Sequence, residues 1–310
     1  MRPANPCAAR SRISTQMVAF LIASSLRLAP AHFPYQAGSA HVIQRTLKAG
    51  DTDRYTFKMS MAQNITMGGS AVQAVTTNME AEYRLKVLSI VNHHARAEMT
   101  INTTKSDMGG MMGTRSMNIP KQVKELGTLD ARNRFVLTDV DNSTPSSFMN
   151  LGSAGAGAQA SGVLVELPDH PVKIGDSWNM ELAGMDKAGM NDRTLKITLV
   201  GPGEVNGHSV WKVKVTGRVP VAMDIGKMLG AGGSSQTGPG AAMLKGMKMT
   251  GTMVYEGRGA IDRQTGKTVS LVYTVDSAMT MNMAGGQSGM GAMNMKVAGK
   301  TETSMFLKGY

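Results

Sequence analysis

Apolar and polar side chains alternate one for one through much of this chain, and that period constrains the fold more than any other feature. Tyr55, Phe57, Met59 and Met61 fall on one side of an extended segment, with Thr56, Lys58 and Ser60 on the other. The same period recurs at Leu195, Ile197 and Leu199, at Val213 and Val215, and at Met279, Met281 and Met283. Successive side chains of a strand point to opposite sheet faces, so these runs predict half-buried antiparallel strands. Turn chemistry separates them at Lys48-Ala-Gly50-Asp51, Asn206-Gly207, Thr265-Gly266 and Ala284-Gly-Gly286. A helical period is confined to two short candidates, Pro120 to Leu126 and Met223 to Leu229.

Two low-complexity stretches organise the chain. Residues 151–162 (LGSAGAGAQASG) read as a Gly/Ala linker, and 230–242 (GAGGSSQTGPGAA) as a flexible loop. They leave an N-terminal half at 42–150 and a C-terminal half at 163–310. The halves share landmarks. Leu47-Lys-Ala-Gly50-Asp51 matches Val172-Lys-Ile-Gly175-Asp176, and Gly127-Thr-Leu-Asp130 matches Gly259-Ala-Ile-Asp262. An internal repeat follows as an expectation.

The first 31 residues carry a basic start (Arg2, Arg10, Arg12), an apolar run from Met17 to Leu26, and small residues at Ala29 and Ala31. This is the pattern of a signal peptide, too short to span a bilayer, and it predicts export to the periplasm or beyond. Cys7, the sole cysteine, would leave with it, so neither disulfides nor thiolate metal sites are expected. Removing the four arginines of residues 1–31 takes the formal charge from +11 to +7. No cluster of basic and aromatic residues accompanies that charge, which argues against nucleic acid as a partner. No later run is long and apolar enough to cross a membrane.

The segment Leu167-Pro-Asp-His-Pro171-Val-Lys-Ile-Gly175-Asp-Ser-Trp178, with the downstream Gly-x-x-Asp hairpin, resembles a motif of uncharacterised bacterial secreted proteins and lipoproteins, the domain of unknown function 6263. The resemblance covers most of residues 42–310. It implies a curved antiparallel sheet or half-barrel, akin to lipoprotein-carrier proteins, and no catalytic residues.

Methionine carries the strongest chemical signal, with 28 residues against 6 Phe, 6 Tyr and 2 Trp. It recurs in pairs that share a strand face: Met59/Met61, Met247/Met249, Met279/Met281/Met283 and Met293/Met295. Flexible, polarisable thioethers suit an adaptable apolar surface, so these residues are candidates for lining a concavity that receives an apolar small molecule or lipid. Thioether sulfur is also a soft ligand that needs no deprotonation, and the same pairs suit Cu(I) or Ag(I) in an alternative reading. Plain core packing produces the same alternation.

Other motifs fail on inspection. His93 and His94 point to opposite faces of a strand. Gln264-Thr-Gly266-Lys267-Thr268 lacks the earlier glycine of a phosphate loop, having Ile261 there. Asp139-Val-Asp141 lacks the glycine and closing glutamate of a calcium loop, with Thr144 and Asn150 in their places. Trp178 and Trp211 read as core anchors. The expectation is an all-β, antiparallel curved sheet built from two similar halves. Its expected role is non-catalytic ligand binding or structural, without a cofactor.

Overall fold

The computed structural model describes residues 38–67, 70–91, 94–110, 113–116, 121–140, 164–182, 193–224, 248–283 and 293–310. The expected signal peptide, linker and flexible loop lie outside these residues.

The first six strands are β1 (Thr52–Met67), β2 (Ser70–Val91), β3 (His94–Gly110), β4 (Gly113–Ser116), β5 (Gln122–Leu129) and β6 (Phe135–Val140). The next six are β7 (Ser177–Leu182), β8 (Arg193–Val205), β9 (His208–Asp224), β10 (Lys248–Asp262), β11 (Thr268–Met283) and β12 (Met293–Leu307). All belong to one antiparallel sheet in the order β6-β5-β3-β2-β1-β12-β11-β10-β9-β8-β7, with β4 on β3. No helix occurs among the described residues. Of the candidate helix from Pro120 to Leu126, the residues from Gln122 onward are instead the start of β5, and Pro120 lies outside the described residues. The apolar Val123 and Leu126 of β5 mimic a helical period because the residue that shares Val123's inner face is Glu125, a buried carboxylic acid.

The N-terminal strands form one meander and the C-terminal strands another, and β1 pairs with β12 to join them into a continuous sheet. One face is buried along nearly its whole width although no second layer is described. A sheet can bury a face in this way only by curving around it, and it does so without closing into a barrel.

Burial is uneven along the strands. At the end where β1 begins, Asp53, Tyr55, Phe57 and Met59 are buried, whereas Met61, Ile65 and Met67 further along are only half-buried. The first end is closed by two segments that cross it, residues 41–47 and 164–172. His41 and Val172 exchange backbone hydrogen bonds of 2.7 and 2.9 Å. Arg45 N donates to Ala131 O (2.8 Å), Thr46 N to Thr265 O (2.9 Å) and Leu167 N to Arg132 O (2.8 Å). These straps therefore tie the β5–β6 turn to the β10–β11 turn. Gly266, at φ 68°, is needed there because a Cβ would collide with the carbonyl of Gln44.

The turns that lead from strap to strand are built alike. Gly50 and Gly175 sit at φ 87° and 90°. Asp51 N and Asp176 N return to Lys48 O and Lys173 O at 3.1 and 3.0 Å. Val87 N and Leu199 N donate to Asp51 O and Asp176 O, both at 2.9 Å, and a register shift follows each of these donor residues, at Val87/Ser89 and Leu199/Gly201.

A buried polar network holds the strapped end. Arg45 pairs with Asp53, and their side chains are 1% and 2% exposed. Arg45 also donates to Asn133 Oδ1 (3.2 Å), and Asn133 Nδ2 donates to Val165 O (3.2 Å) and Gly266 O (3.0 Å). Lys267 Nζ completes it at 2.7 Å from Asp53 Oδ1. Removing the charge of Asp53 would leave two cations without their shared partner in a water-excluded site. Asp53→Asn is expected to cost about 3–5 kcal/mol of unfolding free energy in urea titration. A loss below about 1 kcal/mol, the scale of an exposed ion pair, would show that water reaches the network.

Candidate functional site

The side chains that line the inner face follow from the strand register. At the end far from the straps, Met249 is the Cα partner of Met281, Met281 of Met295, and Met295 of Met67. Met223 on β9 is the partner of Met249. Five consecutive strands thus place methionine at one level. One step toward the straps the level reads Val221, Gly251, Met279, Val297 and Ile65. Deeper still, Tyr273, Thr303, Met59, Met79 and Ser106 share a level.

The structure brings Met59, Met61, Met249, Met279, Met281 and Met295 onto this face, as the alternation requires. Met283 and Met293 are register partners one step beyond Met281 and Met295. Met247 lies outside the described residues. Exposure sorts them: Met59, Met249 and Met279 are 6% exposed, whereas Met61, Met67, Met281 and Met295 are half-buried. Sequence reading missed Met67, Met79, Met253 and Met305. Met67 ends the same alternating run as Met59 and Met61, so that run extended through Ile65 would have found it.

Polar groups also face inward. Glu125 is 7% exposed, and its Oε2 has no hydrogen-bond partner among the described residues. Burial lifts its carboxyl to about 7. Burial likewise raises the hydroxyls of Tyr83 and Tyr273, the latter to about 12, so both stay protonated. Ser106 Oγ is buried and unpaired as well. Nothing in the period-2 pattern distinguishes these positions from ordinary core residues, apart from the charge of Glu125.

A second concavity, of about 390 Å³, lies beside β7 and includes Arg132, Arg134, Glu166 and Glu181. Its charges are used internally. Arg132 Nη2 meets Glu166 Oε1 at 2.8 Å, Arg134 Nε meets Asp130 Oδ2 at 2.7 Å, and Glu181 N donates to Glu166 Oε2 at 3.1 Å. Trp178 Nε1 donates to Glu166 O at 2.7 Å, which fixes the indole in the core. This cleft is structural. Among the described residues no group of three or more His, Cys, Asp or Glu side chains is placed to hold a metal ion, and no helix is long and apolar enough to cross a membrane.

The molecule is thus a single-sheet, curved β-protein with one strapped polar end and a thioether-rich inner face. No protein-family model matches the chain, and no curated protein matches it. Among solved structures, lipovitellin, in a structure concerned with lipid–protein interactions, aligns with 85% of this chain at 9% identity and a TM-score of 0.39. The chain spans only 26% of the length of that lipovitellin chain. An outer-membrane channel of Pseudomonas putida aligns with 85% of this chain and 97% of its own, at 7% identity and a TM-score of 0.24. A protein of the DUF1329 family from Desulfovibrio piger aligns with 79% of this chain and 83% of its own, at 12% identity and a TM-score of 0.12. None of these distant likenesses transfers a function.

The raised carboxyl has a thermodynamic consequence. An unfolded glutamate titrates near roughly 4.3, so the folded state holds the Glu125 proton more tightly. Its stabilising contribution is complete below the unfolded value and is lost as pH rises through about 7. Unfolding free energy should fall by on the order of 3 kcal/mol between pH 5 and pH 8, and Glu125→Gln should remove most of that slope. Equal slopes in the two proteins would assign the pH dependence to other groups.

Proposed function

We propose that this chain is an exported, non-catalytic binding protein that holds an apolar ligand, a lipid acyl chain or a small molecule of similar character, against its inner face. The observation that carries this reading is the change in burial along β1 and β12. Tyr55, Phe57, Met305 and Leu307 are sealed beneath the straps, whereas Met61, Met67 and Met295 toward the other end are apolar side chains that the described structure leaves half-covered. Flexible thioethers at such positions can remould around an apolar guest at little cost. Glu125 is compatible with an apolar interior because burial favours its neutral form near pH 7. The signal-like start of the chain supports export. The resemblance of residues 167–178 to secreted β-proteins supports the same compartment. The matched turns at Gly50 and Gly175 support descent of the two halves from one duplicated unit.

Met281→Asp places a carboxylate at the centre of this face without touching the strapped end. It should abolish binding of a fluorescent fatty-acid analogue, while far-ultraviolet circular dichroism keeps the β signal. A wild-type protein that never binds the analogue would remove the reading's main support.

A further inference from the structure

The methionine level at the far end is more specific than an apolar lining requires. Any mixture of Leu, Ile, Val and Met would line a groove, and one level deeper the chain uses such a mixture with glycine. At the far level Met67, Met295, Met281 and Met249 instead occupy four consecutive strands, with Met223 in register on the fifth. Core packing accounts for Met249, which belongs to the hydrophobic core, but it leaves the other three only partly covered. Of the twelve largest fully buried side chains only Met99 and Met253 are methionine, whereas Met67, Met281 and Met295 are half-buried. Buried methionines occur elsewhere in the molecule, but at this level three of the four side chains, those of Met67, Met281 and Met295, are only partly covered.

From this arrangement we infer that the level is a soft-metal site, binding Cu(I) or Ag(I) through three thioethers drawn from Met249, Met281, Met295 and Met67. Directly opposed residues of neighbouring antiparallel strands have Cα atoms about 4.5–5.5 Å apart. A methionine side chain has three rotatable bonds, so sulfurs from the two flanking strands can converge above the middle one. The level and the one beneath it contribute no His, Asp, Glu or Cys, so the donor set is sulfur alone. That selects a soft monovalent ion over Zn(II) or Cu(II), which favour nitrogen and oxygen donors. Lys248 and Lys296 belong to the opposite strand parity and project from the outer face, leaving the inner level free of competing cations. Thioethers carry no proton to displace, so affinity should not change between pH 5 and pH 8, in contrast to any histidine or thiolate site.

The test is an anaerobic competition of the purified protein against bicinchoninate for Cu(I), at both pH values. The wild type should withdraw the ion equally at each. The double variant Met281→Leu/Met295→Leu preserves apolar volume but removes two sulfurs, and should lose affinity by about tenfold or more. Met99→Leu, buried in β3 and outside the proposed site, should leave affinity unchanged. No competition by the wild type, or full affinity in the double variant, overturns the site. Because leucine keeps the face apolar, the double variant should still bind the fatty-acid analogue. A wild type that takes Cu(I) but never the analogue would remove the apolar-ligand reading and leave the metal site standing.

Discussion

The ion pair between Arg45 and Asp53, with Asn133 and Lys267 around it, is the constraint on which the rest of the molecule depends. Five remote parts of the chain meet there: the first strap, the start of β1, the β5–β6 turn, the second strap through Val165 O, and the β10–β11 turn. Burying charge is costly unless each charged group is paired, so separating these parts would leave Arg45, Asp53 and Lys267 without the partners that offset that cost. Among the described residues the sheet of twelve strands has no second layer to define its curvature. Strands far apart in the sheet order, β5–β6 on one side and β10–β11 on the other, are drawn to the same straps, and that sets how tightly the sheet wraps.

One consequence is a gradient. Near the straps, the inner face is filled by Tyr55, Leu85, Ile101, Leu129 and Leu271, all at most 2% exposed. Further along, the curving sheet must cover its own inner face without the straps, and burial weakens at Met61, Ile65 and Met67. Rigid branched residues serve the first region because the packing there is unique. Methionine occurs in both: Met99 and Met305 are buried near the straps, and Met61, Met67 and Met295 are half-buried further along, where its many rotamers tolerate an irregular environment.

Much of this was legible in the sequence. Alternation at 55–61, 195–199 and 279–283 located strands, and Gly50, Asn206-Gly207 and Gly266 located turns, because both depend on neighbours close in the chain. The pairing of β1 with β12 was not legible, since no local pattern records which strands become neighbours across more than 200 residues. The methionine level was only half legible for the same reason. Shared strand faces at i and i+2 were visible, but the alignment across strands depends on hairpin register, and the β9–β10 and β11–β12 connections are low in side-chain information. Glu125 misled directly. Occupying an inward position with a carboxylate broke the apolar period, and β5 took on the appearance of a helical turn.

The methionine level ends at β1 because of side-chain identity: β2 has 22 residues and reaches the level, but the partner of Met67 there is Ser70. β5 and β6 have 8 and 6 residues, whereas β10 and β11 have 15 and 16. All four begin or end at the strapped end, and among the described residues only the longer pair extends to the level of Met249 and Met281, beside β12 and β1. The Gly-x-x-Asp turns at Asp130 and Asp262 are nonetheless matched: each aspartate Oδ1 accepts two backbone N–H groups of its own turn, from Arg132 and Arg134 and from Gln264 and Thr265. The halves therefore agree where they meet the straps and differ where they extend away from them. Similar turns close the sheet at one end, and the long strands β1, β12, β11 and β10 carry the inner face away from them.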